Sequence, residues 1–297
     1  METKGVNSPR VKTTFDTLLF FKITLVLVIL SVLSMSLFRD FDHDEFEAVH
    51  TAWKILNGEI IYVDFFQHHH PFFYYLIIPF IVLFGEKTLT LLILRVFIFL
   101  FFLGKLRVSY LIVQQFFQDK KISWLATLLV ASTSMFSQKA IEIRPDVPQV
   151  FFGLFSVFLF FEYFKNSSRT SVYWSALLMA ISFLFLQKTL FIIASLGLVQ
   201  IYLILQKEWS FKTLVVYWGI FILGIIPYYL YLFVSGQFQT YFFWNWTLNM
   251  NFTGSFSPFR AIIDSFFYNH FIWIFYVVGI FIFYNRQKSL RLLSLLR

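Results

Sequence analysis

The chain has 297 residues, of which 59% are hydrophobic and only 13% charged, with 44 Phe, 15 Tyr and 8 Trp. A soluble globule of this size cannot bury so much apolar surface, so the composition excludes one and points to an integral membrane protein. The net charge of +8 sits in short loops and at both ends, which fits membrane topology rather than a nucleic-acid partner, and the lack of cysteine excludes disulfide and thiolate chemistry.

Residues 1–16 carry Lys4, Arg10 and Lys12 and read as a cytoplasmic tail, because positive charge accumulates on that side. Residues 17–38 have the length of one span, and no small-residue cleavage site follows, so they read as a retained helix leading outward. The outer loop 39–87 opens on acids that suit a helix starting near Asp44, with Gly58 as its stop. This puts Glu47, His50 and Lys54 near one face. Residues 71–84 contain Pro79 and would extend only about 21 Å as a helix, against a hydrocarbon core of about 30 Å. They are expected to lie at the interface without crossing.

Further spans are expected over residues 88–117, 122–136, 147–164, 172–186, 190–205, 214–234 and 271–284, about eight in all with the first. If 71–84 does not cross, the basic turns at Lys120 and Lys121, at Lys165 and Arg169, and at Lys207 and Lys212 all fall in the cytoplasm, as does the basic tail 285–297. The opposite parity would put those cations outside. Lys105 and Arg107 can snorkel toward the inner surface, whereas Arg95 lies near the outer end of its span and is expected to face the functional site there. The fold class is therefore an all-α polytopic membrane protein with one transmembrane domain over 1–297, a first outer loop with juxtamembrane helices, and an outer aromatic loop over 235–270. No repeat is evident.

This parity places three polar stretches on the outer face: 42–75, 138–146 and the hinge at Gln187 and Lys188. Five of the six histidines, His43, His50, His68, His69 and His70, lie in the first. Asp44 and Glu45 leave the membrane there, and a carboxylate so placed can serve as a general base, ligate a hard cation, or simply cap a helix. The run His68, His69, His70 is poor geometry for one metal, since adjacent side chains diverge, and no HExxH spacing is present. Arg144, Pro145 and Asp146 read either as a self-paired turn or as a phosphate site, because a guanidinium grips phosphate oxygens bidentately. Lys188 is an outer cation against the positive-inside trend. Tyr241, Phe242, Phe243, Trp244 and Trp246 fit an interfacial aromatic belt or a sugar-stacking platform. Two N-glycosylation patterns, starting at Asn245 and Asn251, read as chance.

Taken in order, the acidic pair, the run Gly58, Tyr62, Asp64, Phe65, Phe66, His68, His69, Pro71, then Arg144, Pro145, Asp146 and an outer Lys188 resemble the bacterial membrane glycosyltransferases of family 39. These belong to the GT-C superfamily with protein O-mannosyltransferases, aminoarabinose transferases and oligosaccharyltransferases. The resemblance covers residues 15–210. It implies a GT-C-like bundle in the bacterial inner membrane that transfers a sugar, with inversion, from a polyprenyl-phosphate donor to a lipid, glycan or protein acceptor at the outer face. It implies Asp44 as the catalytic carboxylate with Glu45 beside it, and His50, Asp64, His68, His69, Arg144, Asp146 and Lys188 around the donor phosphate and sugar. A divalent cation is allowed but not required. The rival reading is a non-catalytic carrier or binder of lipid-linked saccharide, or an inactive truncated member; transporters usually bury their charges at midplane between repeats.

Overall fold

A computed structural model describes residues 16–133, 137, 139–251, 258–268, 270, 273–274 and 276–277. Helix α1 (Thr17–Phe38) begins where the Asp16 carboxylate accepts the N–H groups of Leu18 and Leu19. Next come α2 (His43–Leu56), α3 (Phe72–Phe84), α4 (Thr88–Phe117) and α5 (Lys120–Ala131). After the turn at Arg144 the chain continues through α6 (Asp146–Asn166), α7 (Arg169–Phe185), a 3-10 turn (Gln187–Thr189), α8 (Leu190–Leu205) and α9 (Phe211–Val234). It then folds back as α10 (Phe238–Phe242), a π-helical segment (Phe243–Thr247), α11 (Leu248–Asn251) and α12 (Pro258–Tyr268).

Among the described residues, five helical segments are long and apolar enough to cross a membrane: Thr17–Phe38, Thr88–Phe117, Asp146–Asn166, Gln187–Leu205 and Phe211–Val234. The apolar helices α3 and α7 are shorter. The span expected over 122–136 is seen as α5, which ends at Ala131 with Ser132 as its cap, about 18 Å of helix. The span expected over 271–284 falls largely outside the described residues, and the basic tail 285–297 and all but the last residue of the tail 1–16 lie outside them. Lys105, expected to snorkel, is buried.

The antiparallel pair α6 and α7 forms the centre, with α4 against α6, α9 against α7, and α1 and α5 on the far side of α4. Small and polar residues set this packing, as expected where helices meet without a hydrophobic driving force. Ser156 and Ser175 each donate to the other's backbone carbonyl, at 2.7 and 2.8 Å. A Cβ added at Gly224 would come within 2.7 Å of the Ala180 Cβ, so α7 and α9 touch through a glycine. At the other end of α7, Ser182 donates to the Gln149 carbonyl and Gln149 Nε2 donates to Thr189 Oγ1. That triad fixes the 3-10 turn carrying Gln187 and Lys188.

Helix α2 carries a capping box, in which the Asp42 side chain accepts from the start of the helix and Glu45 reaches back to the Asp42 N–H at 2.8 Å. Glu45 has a second duty. Arg95, on α4 and fully buried, donates Nε and Nη2 to it at 2.8 and 2.6 Å. The remaining guanidinium hydrogens go to the carbonyls of Ser36, Arg39 and Asp40, so all five donors of the group are used. Glu45 also accepts the Ile143 N–H at 3.1 Å. One ion pair thus joins the end of α1, the start of α2, the first third of α4 and the turn before α6.

Removing one partner of a buried pair strands the other charge, a loss of about 3–5 kcal/mol. Arg95→Met and Glu45→Gln should therefore each lower the melting temperature in detergent markedly, and the double variant should lose much less than the sum of the two. Additive losses would show that the two side chains do not act as a pair.

Candidate active site

A cavity of about 860 Å³ opens at the end of the bundle where α4, α6 and α8 begin. Its charged lining comes from Asp44 and Glu47 on α2, Arg144 before α6 and Lys188 on the 3-10 turn. His68 and His69 line it from the loop before α3, and Gln187, Asn245, Trp246 and Asn249 from the other side. Leu186, Leu190 and Phe191 form an apolar flank; Phe191 is largely exposed, so this flank continues onto the lipid-facing surface of α8.

The charges alternate along a chain. Arg39 reaches Glu142 at 2.7 Å, and Glu142 also binds Lys139 at 2.8 Å. Arg144 Nη1 contacts Asp44 Oδ2. Its Nε lies 3.4 Å from Asp146 Oδ2, and Lys188 Nζ lies 2.8 Å from Asp146 Oδ1. Pro145 disfavours helix at Arg144, and α6 starts at Asp146 with its carboxylate in the first turn, where the helix dipole favours it. Partial burial works against the Arg144 charge, yet Asp146, Asp44 and Glu142 together hold its pKa above the ordinary value. Asp42 is lowered, chiefly by the Asp44 N–H; burial opposes this, and Lys139, Arg144 and Arg39 add to the lowering.

Of the three consecutive histidines only His70 diverges, against the expectation that all neighbours would. His68 and His69 turn to the cavity with ring centres 3.9 Å apart; the Nδ1 atom of each is buried without a hydrogen bond, that of His68 lying 3.9 Å from Glu47 Oε1. Their backbone N–H groups both donate to Gln67 Oε1, at 2.8 and 3.2 Å, while Gln67 Nε2 donates to Thr51 and Glu47. A glutamate at this position could not make the two donations. His70 points away and is fully buried. The Phe183 carbonyl, 2.6 Å from Nδ1, can only accept, so Nδ1 carries the proton and Nε2 takes the Tyr241 hydroxyl at 3.0 Å. Burial lowers His68 despite the Glu47 charge; burial and the neighbouring His68 push His69 down to about 3, and burial pushes His70 down to about 4.

Of the residues singled out from sequence, Asp44, His68, His69, Arg144 and Lys188 meet at this cavity, and Asp146 braces the two cations. Three do not. Glu45 lies beneath, saturated by Arg95, so neither it nor Arg95 faces the cavity. His50 stacks on Trp53 with centres 5.6 Å apart and lines a separate groove of about 570 Å³ with Glu86 and Lys87. Asp64 is exposed and closes its own turn by accepting the Ile60 N–H at 2.7 Å.

Sequence reasoning missed Glu47, Asn245 and Asn249 as lining residues. Of the residues read as an aromatic belt or a sugar-stacking platform, Trp246 enters the lining, Trp244 lies edge-on to Phe66 at 5.0 Å, and Phe242 and Phe243 stay exposed. Asn245 is 1% exposed, which makes it unfit as a glycosylation acceptor in the folded chain. One signal was present: Asn245 and Asn249 stand one helical turn apart within an otherwise apolar, aromatic stretch. Among the described residues, His43, Asp44 and Glu47 bring ligand atoms within 4.8 Å of one another, an imidazole and two carboxylates of the kind that divalent cations accept. Asp146, between two cations, does not suit a metal.

The sequence matches the dolichyl-phosphate-mannose-protein mannosyltransferase family over residues 74–242. The fold resembles the crystal structure of ArnT from Cupriavidus metallidurans bound to undecaprenyl phosphate, with a TM-score of 0.58 and 18% sequence identity. That alignment covers 75% of this chain and 43% of that one, so this chain spans less than half the length of ArnT. No curated protein gives a significant match.

Histidines held neutral make the fold sensitive to acid. His69 and His70 titrate in the folded protein at about 3 and 4 and near 6.5 when unfolded. Between those values the unfolded chain binds the extra protons, so stability is intact above pH 6.5 and falls as pH drops toward 4. The melting temperature in detergent should be lower at pH 5 than at pH 7.5, and His70→Gln should flatten that slope. Equal melting temperatures at the two pH values would contradict the assignment.

Proposed function

The chain belongs to the dolichyl-phosphate-mannose-protein mannosyltransferase family, and from that premise we propose that it transfers a sugar from a polyprenyl-phosphate donor to an acceptor hydroxyl or amine, with inversion, at the outer face of a bacterial inner membrane. The observation that carries this reading is the meeting of Asp44, Arg144 and Lys188, from three distant parts of the chain, at one cavity whose remaining flank is apolar. A lipid phosphate needs that combination: cations for the phosphate and an apolar path for the tail.

The acceptor oxygen or nitrogen attacks the anomeric carbon from the face opposite the phosphate. The bond from that carbon to the phosphate oxygen breaks, and its electron pair leaves with the polyprenyl phosphate. Arg144 and Lys188 stabilise the charge gathering on that leaving group, which lowers the barrier because it is larger in the transition state than in the bound donor. Asp44 takes the acceptor's proton. His68 and His69, neutral and adjacent, supply ring nitrogens for phosphate or sugar oxygens. Asp146 touches both cations and keeps them aimed, making it a positioning residue. The orientation rests on the same geometry: α4, α6 and α8 all run from the cavity toward the basic turns at Lys120, Lys165 and Lys207. These turns therefore lie at the opposite, cytoplasmic end.

Loss of a general base typically costs 10²–10⁴-fold in rate. Asp44→Asn should therefore reduce transfer from a radiolabelled polyprenyl-phosphate sugar to below about one hundredth of wild type in vesicles, with its melting temperature retained. Lys188→Met should mainly raise KM for the donor. Undiminished transfer by Asp44→Asn would sink the catalytic assignment, and donor binding by the wild type without transfer to any acceptor would favour a lipid-saccharide binder.

A further inference from the structure

One wall of the cavity is unsuited to phosphate. Gln187 Oε1 and Asn245 Oδ1 are buried acceptor oxygens without partners, and both residues line the cavity. Buried polar groups in folded proteins are nearly always satisfied, so two orphans at one cavity call for a ligand that satisfies them. Their amide orientations are set by the opposite ends of the groups. Gln187 Nε2 donates to the His68 carbonyl at 2.8 Å and toward the Asn245 carbonyl at 3.4 Å. Asn245 Nδ2 donates to the Tyr241 carbonyl at 3.3 Å. Each donor end is spent on backbone, which leaves the oxygen as the free end.

Asn245 is 1% exposed and sits inside the π-helical segment Phe243–Thr247, a distortion that recurs where a helix is bent to serve a site. The segment is braced from both sides: Asn249 Nδ2 donates to the carbonyls of Asn245 and His68, at 2.9 and 3.1 Å, and Trp246 Nε1 to the Tyr241 hydroxyl at 3.2 Å. Carbonyl oxygens can only accept hydrogen bonds. An ionised phosphate offers only acceptors and a prenyl chain offers nothing polar, whereas a sugar offers hydroxyl donors. Gln187 also directly precedes Lys188 on the 3-10 turn, so a hydroxyl acceptor and a phosphate-holding cation stand side by side, as a sugar joined to phosphate at its anomeric carbon requires.

We propose that Gln187 and Asn245 form the sugar-reading subsite, accepting hydroxyl hydrogens of a monosaccharide whose phosphate lies on Lys188 and Arg144. The proposal rests on the polyprenyl-phosphate-sugar reading above. A site built to hydrogen-bond a hydroxyl discriminates strongly against an analogue lacking it, because its own buried group is then left unpaired.

The test uses the full chain in lipid nanodiscs, with undecaprenyl phosphate and undecaprenyl phosphates bearing mannose, glucose, galactose or arabinose as competing probes. The wild type should bind at least one glycosylated probe more tightly than undecaprenyl phosphate. Deoxy analogues of that sugar should reveal one or two hydroxyls whose removal weakens binding by about tenfold. Asn245→Leu and Gln187→Met should abolish that difference while still binding undecaprenyl phosphate, which also reports that they fold; Lys188→Met should weaken every probe. Sugar preference unchanged in both variants, or no deoxy analogue weakened on the wild type, would overturn the proposal. A wild type that binds none of the lipids, plain or glycosylated, would instead sink the polyprenyl-phosphate reading on which it stands.

Discussion

The Glu45 and Arg95 pair is the constraint from which the rest of the outer end follows. A charge buried on this scale is tolerated only when every hydrogen-bonding position is filled, and here the guanidinium spends all five donors while the carboxylate takes four. The partners are backbone groups of three separate segments, so the pair does not merely neutralise itself. It holds the start of α2 at a set angle to α1 and α4, and Asp44, the residue immediately before Glu45, inherits its position from that clamp. Such a foundation suits the role proposed for Asp44, since small displacements of a reacting group are expensive in rate.

The opposite wall is held by a different material. The buried contacts among Ser182, Gln149 and Thr189 fix the 3-10 turn, and the carbonyl of His68 receives two side-chain amides, from Gln187 and Asn249. Neutral hydrogen bonds therefore set the side proposed to meet the sugar, and ion pairs set the side proposed to meet the phosphate. The division matches the chemistry: phosphate demands charge, while discrimination among hydroxyls demands direction.

Much of this was legible in the sequence, for identifiable reasons. The bounds of α1, α4 and α8 match the expected spans because apolar length and charge placement are local properties. Asp44, Arg144 and Lys188 could be gathered on one face because the parity of spans is a counting argument. That Glu45 lies buried below the cavity could not be read, because neighbouring carboxylates look alike until their partners are seen, and Arg95 lies fifty residues away. His50 and Asp64 shared a polar stretch with the site but face other ways, since a loop's direction is set by hydrogen bonds such as that of Asp64 to Ile60. Asn245 was hidden among aromatics, and the π turn that carries it follows from packing rather than from a propensity readable along the chain.

Asp44 lies in contact with Arg144 rather than free in the cavity. Its Oδ2 is therefore held by a guanidinium and is not open to a hydroxyl. A phosphate bound as proposed would compete for the same guanidinium with more charge and more oxygens, and would release the Asp44 carboxylate into the cavity. Under the proposed reading the order of arrival would then matter: a donor that engages Arg144 frees the carboxylate, whereas a hydroxyl arriving alone meets one whose Oδ2 is still held.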